Sequence, residues 1–383
     1  MTEWKEYKLG EIAEVITGYP FPGDKYESTG NLRVVRGENV TIGNLRWDTE
    51  KHWNHETEGL EKYFLQSGDI VIGMDGSRVG DNRAKVKQVD LPLILAQRVA
   101  CLRAKKEFSQ GYLWYTIFSD NFKKYVEAIH TGTSIPHISQ KQIEDFEILC
   151  PPLETQRRIA AILSSLDDKI DLLHRENATL EQMAETLFRQ WFVVEAKEEW
   201  EEGKLGDICN YVTEKIDIGN VEIVDYISTE NMCSNKQGVV QASSVPETGK
   251  ATKYRIDDVL LSNIRPYFKK IWLADKEGGC SADVLCIRSK NELYKFFTYY
   301  TVRQDEFFDY VMLGSKGCKM PRGDKSHIMN WSIMIPQKET LLKFNKFVAN
   351  GIEKIRSNNN QIRTLIETRD GLLPRLMSGE VKI

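Results

Sequence analysis

No stretch of this 383-residue chain stays apolar for anything near the roughly 18 residues that a membrane-spanning helix needs, so no membrane partner is expected. The opening MTEWKEYKLGEIAEV is mixed and charged where a secretory signal would be apolar, and a cytoplasmic location is expected. Cysteine is sparse and scattered: Cys101, Cys150, Cys209, Cys233, Cys280, Cys286 and Cys318 form no CxxC pair, and their number is odd. Such spacing in a long chain reads as buried free thiols, not as a disulfide framework.

Nucleotide and metal chemistry are equally short of motifs. The nearest approach to a phosphate-binding P-loop ends at Gly249-Lys250, with Ser244 where the first glycine belongs and Ala251 where the hydroxyl belongs. Gly73, Gly76 and Gly80 are wrongly spaced for a dinucleotide fingerprint. Cys150-Pro151-Pro152-Leu153 has neither the polar residue nor the aromatic of an amino-methyltransferase motif, and it reads as a strand-to-helix junction. His52 and His55 have no cysteine cluster and no HExxH around them, so no metal site is expected and a solvated loop is the simpler reading.

The chain does have length, charge and repetition. At about 100 to 200 residues per domain it holds two or three globular units. Hydrophobic content of 41% with 28% charge suits a water-soluble fold. The net charge of -4 advertises no nucleic-acid partner but excludes none, because phosphate contacts depend on local basic patches.

Cut near residue 196, the chain repeats itself. EWKEYKLGEI at Glu3 returns as EWEEGKLGDI at Glu199, SGDIVIG at Ser67 is echoed by IDDVLLSN at Ile256, and VACLR at Val99 by VLCIR at Val284. Pro136, Ile143, Phe146, Ile148 and Pro151 then match Pro321, Ile328, Trp331, Ile333 and Pro336 at one constant offset. Each half therefore has a globular part of variable length, where the two should differ in what they touch, and a uniform tail. The globular parts alternate short Val, Ile, Tyr and Phe runs with Gly, Asn and Asp turns, which predicts mixed strand and helix domains. GYLWYTIFSDNFKKYVEAI and LYKFFTYYTVRQDEFFDYVM each read as one amphipathic helix.

Each tail reads as a long helix opened by proline. A heptad seam runs through Ile159, Leu163, Leu166, Ile170, Leu173, Asn177, Leu180, Ala184, Leu187 and Trp191. Its counterpart is Phe344, Val348, Gly351, Ile355, Asn358, Ile362, Leu365, Arg369, Leu372 and Leu376. A narrow apolar stripe cannot bury itself, so the two helices are expected to pair as a coiled coil of roughly 60 Å; the alternative is that each packs on its own globular part. Asn177 and Asn358 would fix register or face a partner subunit.

Both halves place Gly- or Pro-containing turns beside polar and cationic residues. In the first these are Arg33, Arg36, Ser77, Arg78, Arg83, Thr133, Ser134 and His137. In the second they are Asn263, Arg265, Tyr267, Lys269, Lys316, Lys319, Arg322 and Lys325. Arg and Asn can read guanine and adenine edges bidentately, while Ser, Thr, Lys and glycine N–H groups hold phosphates.

With GDIVIGMDGS, TGTSIPHI, PPLETQRRIAAIL and SNIRPYFKKIW in these positions, the chain resembles, over essentially its whole length, the DNA-specificity (S) subunit of type I restriction-modification systems. The resemblance implies an α+β fold, with two similar mixed α/β target recognition domains and two long helices forming an antiparallel coiled coil, as a pseudo-twofold tandem repeat. It implies recognition domains at 1–150 and 196–336 and helices at 151–195 and 337–383. It also implies a non-catalytic subunit reading a bipartite site in double-stranded DNA. Two modification subunits would carry S-adenosylmethionine, and two restriction subunits would use ATP and magnesium. At Met320-Pro321-Arg322-Gly323 the second half departs from the SIPH of the first.

Two other classes are testable against this one. A fused or stand-alone methyltransferase or nuclease would bind its cofactor without partners. A coiled-coil adaptor unrelated to DNA would show no salt-dependent duplex binding.

Overall fold

The computed structural model describes residues 4–129, 136–317, 319–381 and 383. It comprises two compact units, Met1–Leu172 with Ile362–Ile383, and Leu173–Gln361.

The first unit carries β1 (Lys5–Lys8), β2 (Ala13–Thr17), β3 (Arg33–Val35), β4 (Ile70–Gly73), β5 (Arg83–Lys85), β6 (Leu93–Leu95), β7 (Val99–Ala104) and β8 (Glu147–Cys150). Its main sheet is antiparallel in the order β2-β7-β4-β5, while β3 and β6 pair in parallel and β1 and β8 antiparallel. The helices are α1 (Leu9–Ile12), α2 (Gln110–Phe118), α3 (Asp120–Ile129), α4 (Gln140–Glu144) and the first part of α5 (Leu153–Arg189). On β4 the side chains alternate: Ile70 and Ile72 enter a core with α2, α3 and α5, and Val71 enters a second core beneath β3 and β6. Both faces of the strand are covered, which is why it reads as an unbroken apolar run.

The second unit repeats this plan with β9 (Glu201–Lys204), β10 (Cys209–Tyr211), β11 (Lys215–Asp217), β12 (Tyr226–Ile227), β13 (Lys250–Tyr254), β14 (Val259–Ser262), β15 (Ile271–Leu273), β16 (Gly278–Cys280), β17 (Val284–Ser289) and β18 (Ser332–Ile335). The order β10-β17-β14-β15 reproduces β2-β7-β4-β5, and β9 pairs with β18 as β1 does with β8. Its helices are α6 (Leu205–Ile208), α7 (Lys295–Arg303), α8 (Asp305–Leu313), α9 (Lys325–Met329) and most of α10 (Lys338–Met377). The parallel pair β12-β16 answers β3-β6, and β11 and β13, which extend it into the four-stranded sheet β11-β13-β16-β12, are where the halves differ.

An ion pair is repeated along with the strands. Asp69, buried before β4, accepts from Arg103 on β7 at 2.9 and 2.7 Å. Asp258 and Arg288 do the same in the second unit.

Each helix expected to be single is broken in two, at the same place in both units. Ser119 and Gln304 are extended, with ψ of 157° and 148°. The Ser119 N–H and hydroxyl both turn back to the Thr116 carbonyl, closing the first helix. Asp120, and Asp305 with Glu306, then stand in the next first turn, where the helix dipole favours them. Apolar periodicity ran through the break because both segments face the same core.

The long helices run antiparallel. In the second unit Asn177 meets Asn358 and Asn359, and Phe188 meets Phe344. In the first, Asp167 meets Arg369, while Ile159 and Leu163 share a core with Leu376. Ile159, Leu163, Ile170, Leu173, Ala184, Phe344, Val348, Asn358, Ile362 and Leu376 are buried as the heptad reading requires, and Leu166, Leu180, Ile355, Leu365 and Leu372 are half-buried. Leu187 and Trp191 are half-buried against the second unit's core as well, and the seam is wider there than the heptad reading had it, with Phe188 and Phe192 beside them fully buried. One position is corrected: Ile352 takes the place of Gly351, with Leu341 buried as well. A straight helix drifts by about 20° per heptad, and here the stripe also covers the globular core, with the Phe297 and Tyr300 rings tilted against Phe188. Pairing with the other helix and packing on the domain, posed as alternatives, are both realised. Complete burial of Phe344 alone is worth about 1.5–3 kcal/mol.

Among the described residues no helix is long and apolar enough to cross a membrane. Five of the described cysteines are buried free thiols, Cys233 is half-buried, and Cys318 lies outside the described residues.

Candidate nucleic-acid interface

The loop after β4 is fastened to the segment before α4. Gly76 N–H donates to the Pro136 carbonyl at 3.1 Å and Ile138 N–H to the Met74 carbonyl at 2.9 Å, with Asp75 bridged to His137. In the second unit Arg265 N–H donates to the Pro321 carbonyl at 2.8 Å and Gly323 N–H to the Asn263 carbonyl at 3.1 Å, with Ile264 bridged to Arg322. The match of Pro136 to Pro321, drawn from spacing, is therefore a match of hydrogen bonds, and Met320-Pro321-Arg322-Gly323 keeps the backbone register despite its different side chains.

The loop after β4 forms one wall of a cleft of about 520 Å³ in the first unit, lined among others by Tyr26, Arg36, Asp75, Ser77, Arg78 and Arg98. Ser77 and Arg78 are exposed on its rim. Arg36 lies over the Tyr26 ring at 5.6 Å, donates to the Thr49 carbonyl at 2.8 Å and pairs with Glu38. Its Nε is buried with no hydrogen-bond partner among the described residues. Arg98 holds a left-handed backbone, φ 74°, with its Nε 3.6 Å from Asp75. Three arginines thus face Glu38 and Asp75, and the amides of Asn82 and Gln97 complete the lining. Arginine and amide side chains together can address both guanine and adenine edges.

Not every expected contact is here. Arg83 is corrected: it is 4% exposed, and its Nη1 donates to the carbonyls of Ile117 and Ser119 at 2.6 and 3.0 Å. Burial lowers its pKa, and its guanidinium is spent on capping the end of α2. Arg33 lies over Trp47 at 4.5 Å and donates to the Asp90 carbonyl at 3.0 Å, away from the cleft. Thr133 and Ser134 lie outside the described residues.

In the second unit Asn263, Arg265, Lys316 and Arg322 come together. Lys316 and Arg322 exchange backbone hydrogen bonds at 2.9 and 3.0 Å, and their side chains pair with Asp324 at 2.9 Å and Asp283 at 3.2 Å. Asn263 Oδ1 and Arg265 Nε are buried without partners among the described residues. Tyr267 is exposed, and Lys269 pairs with Asp305 at 2.9 Å. Lys319 is exposed, as is Lys325, whose Nζ lies 5.7 Å from the Tyr211 ring.

Sequence reasoning missed Tyr26, Gln97, Arg98 and Phe268. Tyr267-Phe268 was visible as an aromatic pair inside a basic turn. Arg98 gave no signal, since its placement depends on a positive φ.

Residues 1–182 and 197–368 each match the type I restriction modification DNA specificity domain. The chain is 26% identical to the type I restriction enzyme MjaIX specificity subunit of Methanocaldococcus jannaschii, over 100% of this chain and 94% of that one. It is 23% identical, over the whole of both, to the HindI specificity subunit of Haemophilus influenzae. The fold matches the crystal structure of the type I restriction-modification S subunit from M. genitalium with a TM-score of 0.59 and 14% identity, covering 98% of this chain and 96% of that one.

Proposed function

Because this chain belongs to the type I restriction modification DNA specificity family and serves as a DNA-recognition subunit, we propose that each unit reads one half of a bipartite site through the loop that follows β4 or β14. The observation that carries this reading is the repeated stitching of Gly76 to Pro136 and of Arg265 to Pro321, which brings chosen side chains to equivalent places on equivalent scaffolds. Arg36, Ser77, Arg78 and His137 serve the first half-site, joined by Gln97 and Arg98. Asn263, Arg265, Tyr267, Lys319 and Arg322 serve the second. Lys269, Lys316 and Lys325, each already engaged within the fold, act on phosphates. Arginine and asparagine supply base-edge hydrogen bonds, and lysine supplies charge.

In this reading residues 1–150 and 196–336 are the recognition domains, and the helices within 151–195 and 337–383 are the scaffold for the partners. Those partners are two modification subunits holding S-adenosylmethionine and two restriction subunits driven by ATP and magnesium, assembled on DNA in the cytoplasm. The chain itself performs no catalysis. The modest net charge of -4 fits a subunit whose partners neutralise much of the phosphate.

The test is co-expression with the modification partner, followed by methylation-sensitive sequencing. A two-part modified motif with a fixed spacer is expected. Saturable S-adenosylmethionine binding by the isolated chain would overturn the non-catalytic reading, and duplex binding by the complex that does not weaken with salt would overturn the DNA reading.

A further inference from the structure

The loops after β4 and β14 follow one backbone path and present different surfaces. The first turns left-handed at Gly76 and Gly80, with φ of 100° and 91°. The second does so at Arg265 and Lys269, with φ of 50° and 51°. Glycine adopts that conformation freely and other residues do so at a cost, so the second loop carries cations where its counterpart carries the unstrained residue. Between these positions the first loop has Ser77, Arg78 and a buried Val79. The second has a buried Pro266, followed by Tyr267 and Phe268 at 48% and 36% exposure with their rings 4.6 Å apart.

The turn that bears these rings is fixed. Arg265 N–H is held by the Pro321 carbonyl, the Phe268 carbonyl accepts from Asn235 N–H at 2.8 Å, and the Lys269 carbonyl accepts from Lys236 N–H at 2.9 Å. Two aromatic rings are therefore displayed on a braced support and are not folded into the core. Two cations lie nearby: Lys270 Nζ, which donates to the Thr229 carbonyl at 2.6 Å, is 5.8 Å from the Phe268 ring, and Arg322, paired with Asp283 at 3.2 Å, is exposed on the segment stitched to the loop. Phenylalanine has no polar atom with which to read a base edge or hold a phosphate. Within a duplex its favourable partner is the face of a base, which it reaches by entering a base step.

We propose that Tyr267 and Phe268 form an aromatic wedge that opens one base step of the half-site read by the second unit, an insertion the first unit does not make. Arg322 and the neighbouring lysines turn to the flanking phosphates while the step unstacks. The proposal rests on the DNA reading above and adds a deformation confined to one half-site.

The experiment uses the full chain in complex with its modification partner and duplexes of its own modified motif, with 2-aminopurine placed at one position at a time. Apart from the base that each modification subunit flips out for methylation, binding is expected to raise fluorescence at one further step in the second unit's half-site and at none in the other. Arg265→Ala identifies that half-site by relaxing it. Tyr267→Ala/Phe268→Ala should abolish the rise and weaken binding by about 5- to 150-fold, the range expected for losing base stacking. Tyr267→Phe should preserve both. Tyr267→Ala, which removes only an exposed ring, serves as the second variant if the double one melts at lower temperature, and it should reduce the signal. Specific binding without that further rise in the second half-site, or with one that survives the double variant, overturns the wedge and leaves the DNA reading standing. A wild-type complex with no sequence-specific binding overturns the DNA reading and the wedge with it.

Discussion

Arg288 donates two hydrogen bonds to Asp258, at 2.7 and 2.6 Å, and the two partners are unequally buried: the Asp258 side chain is 3% exposed and that of Arg288 33%. Removing one partner is therefore not equivalent to removing the other. Arg288→Ala strands a buried carboxylate and should destabilise the second unit by about 3–5 kcal/mol, whereas Asp258→Ala frees an arginine that can turn to water or to Glu214 and should cost less. Urea denaturation of both variants gives the order. The modified motif should not change, because this pair braces strands and reads nothing.

Arg78→Ala and Arg265→Ala should each relax one half-site and leave the other intact, costing about 1–3 kcal/mol of discrimination if the side chain bonds a base edge. Arg83→Ala is the control: losing its bonds to Ile117 and Ser119 should cost about 1.5–3 kcal/mol of stability with no change of motif. Affinity lost equally on every sequence would make Arg78 or Arg265 a phosphate contact.

Asn358, 1% exposed, donates to Glu176 at 3.0 Å and to Asn177 at 2.8 Å. Asn358→Leu leaves the Asn177 Oδ1 without this donor, while Glu176 keeps Lys354, and should destabilise by about 1–3 kcal/mol, with part recovered in Asn177→Leu/Asn358→Leu. A single variant as stable as wild type would mean that this polar layer does not fix register.

Inserting one heptad after Leu173 and a matching heptad after Asn358 keeps the seam and lengthens each helix by about 10 Å. The modified motif should keep its half-sites and gain about 3 base pairs of spacer at 3.4 Å per step. An unchanged spacer at full activity would separate helix length from site geometry.

Lys316, with the amides of His327 and Ser326, holds the Asp324 carboxyl down at about 2. Its folded pKa lies below the unfolded value of about 3.9, so the stabilisation is present above that value and is lost as pH falls through about 2. Carboxyl NMR should show this titration in wild type and a higher one in Lys316→Met. A titration that stays near 2 in the variant would leave the amides as the whole cause.

Much of the fold was legible because its signals are local or periodic. The prolines at 151 and 336, the heptads and the doubled LG(E/D)I motif each report on neighbouring residues. The helix breaks at Ser119 and Gln304 were hidden because both halves of each pair bury apolar residues against one core. The full burial of Phe188 beside the half-buried Leu187 was hidden for a related reason, since a heptad count follows the partner helix and not the domain beside it. At the candidate site the side-chain types were readable but their duties were not. Arg83 and Arg78 look alike in sequence, and only the path of the chain turns one inward to cap α2 and leaves the other on the rim.

Leu376 is 1% exposed within the first unit's core, and Trp4 lies against Gly379. The order of synthesis therefore differs from the order of folding. A ribosome releases the first recognition region early, but that core lacks a wall until residues beyond 370 have emerged. The second unit, whose segments run from Leu173 to Gln361 without interruption, has all its parts sooner. In a nascent chain the region made first is thus the one completed last, and a message truncated after the second region would yield an intact second unit beside an unfinished first.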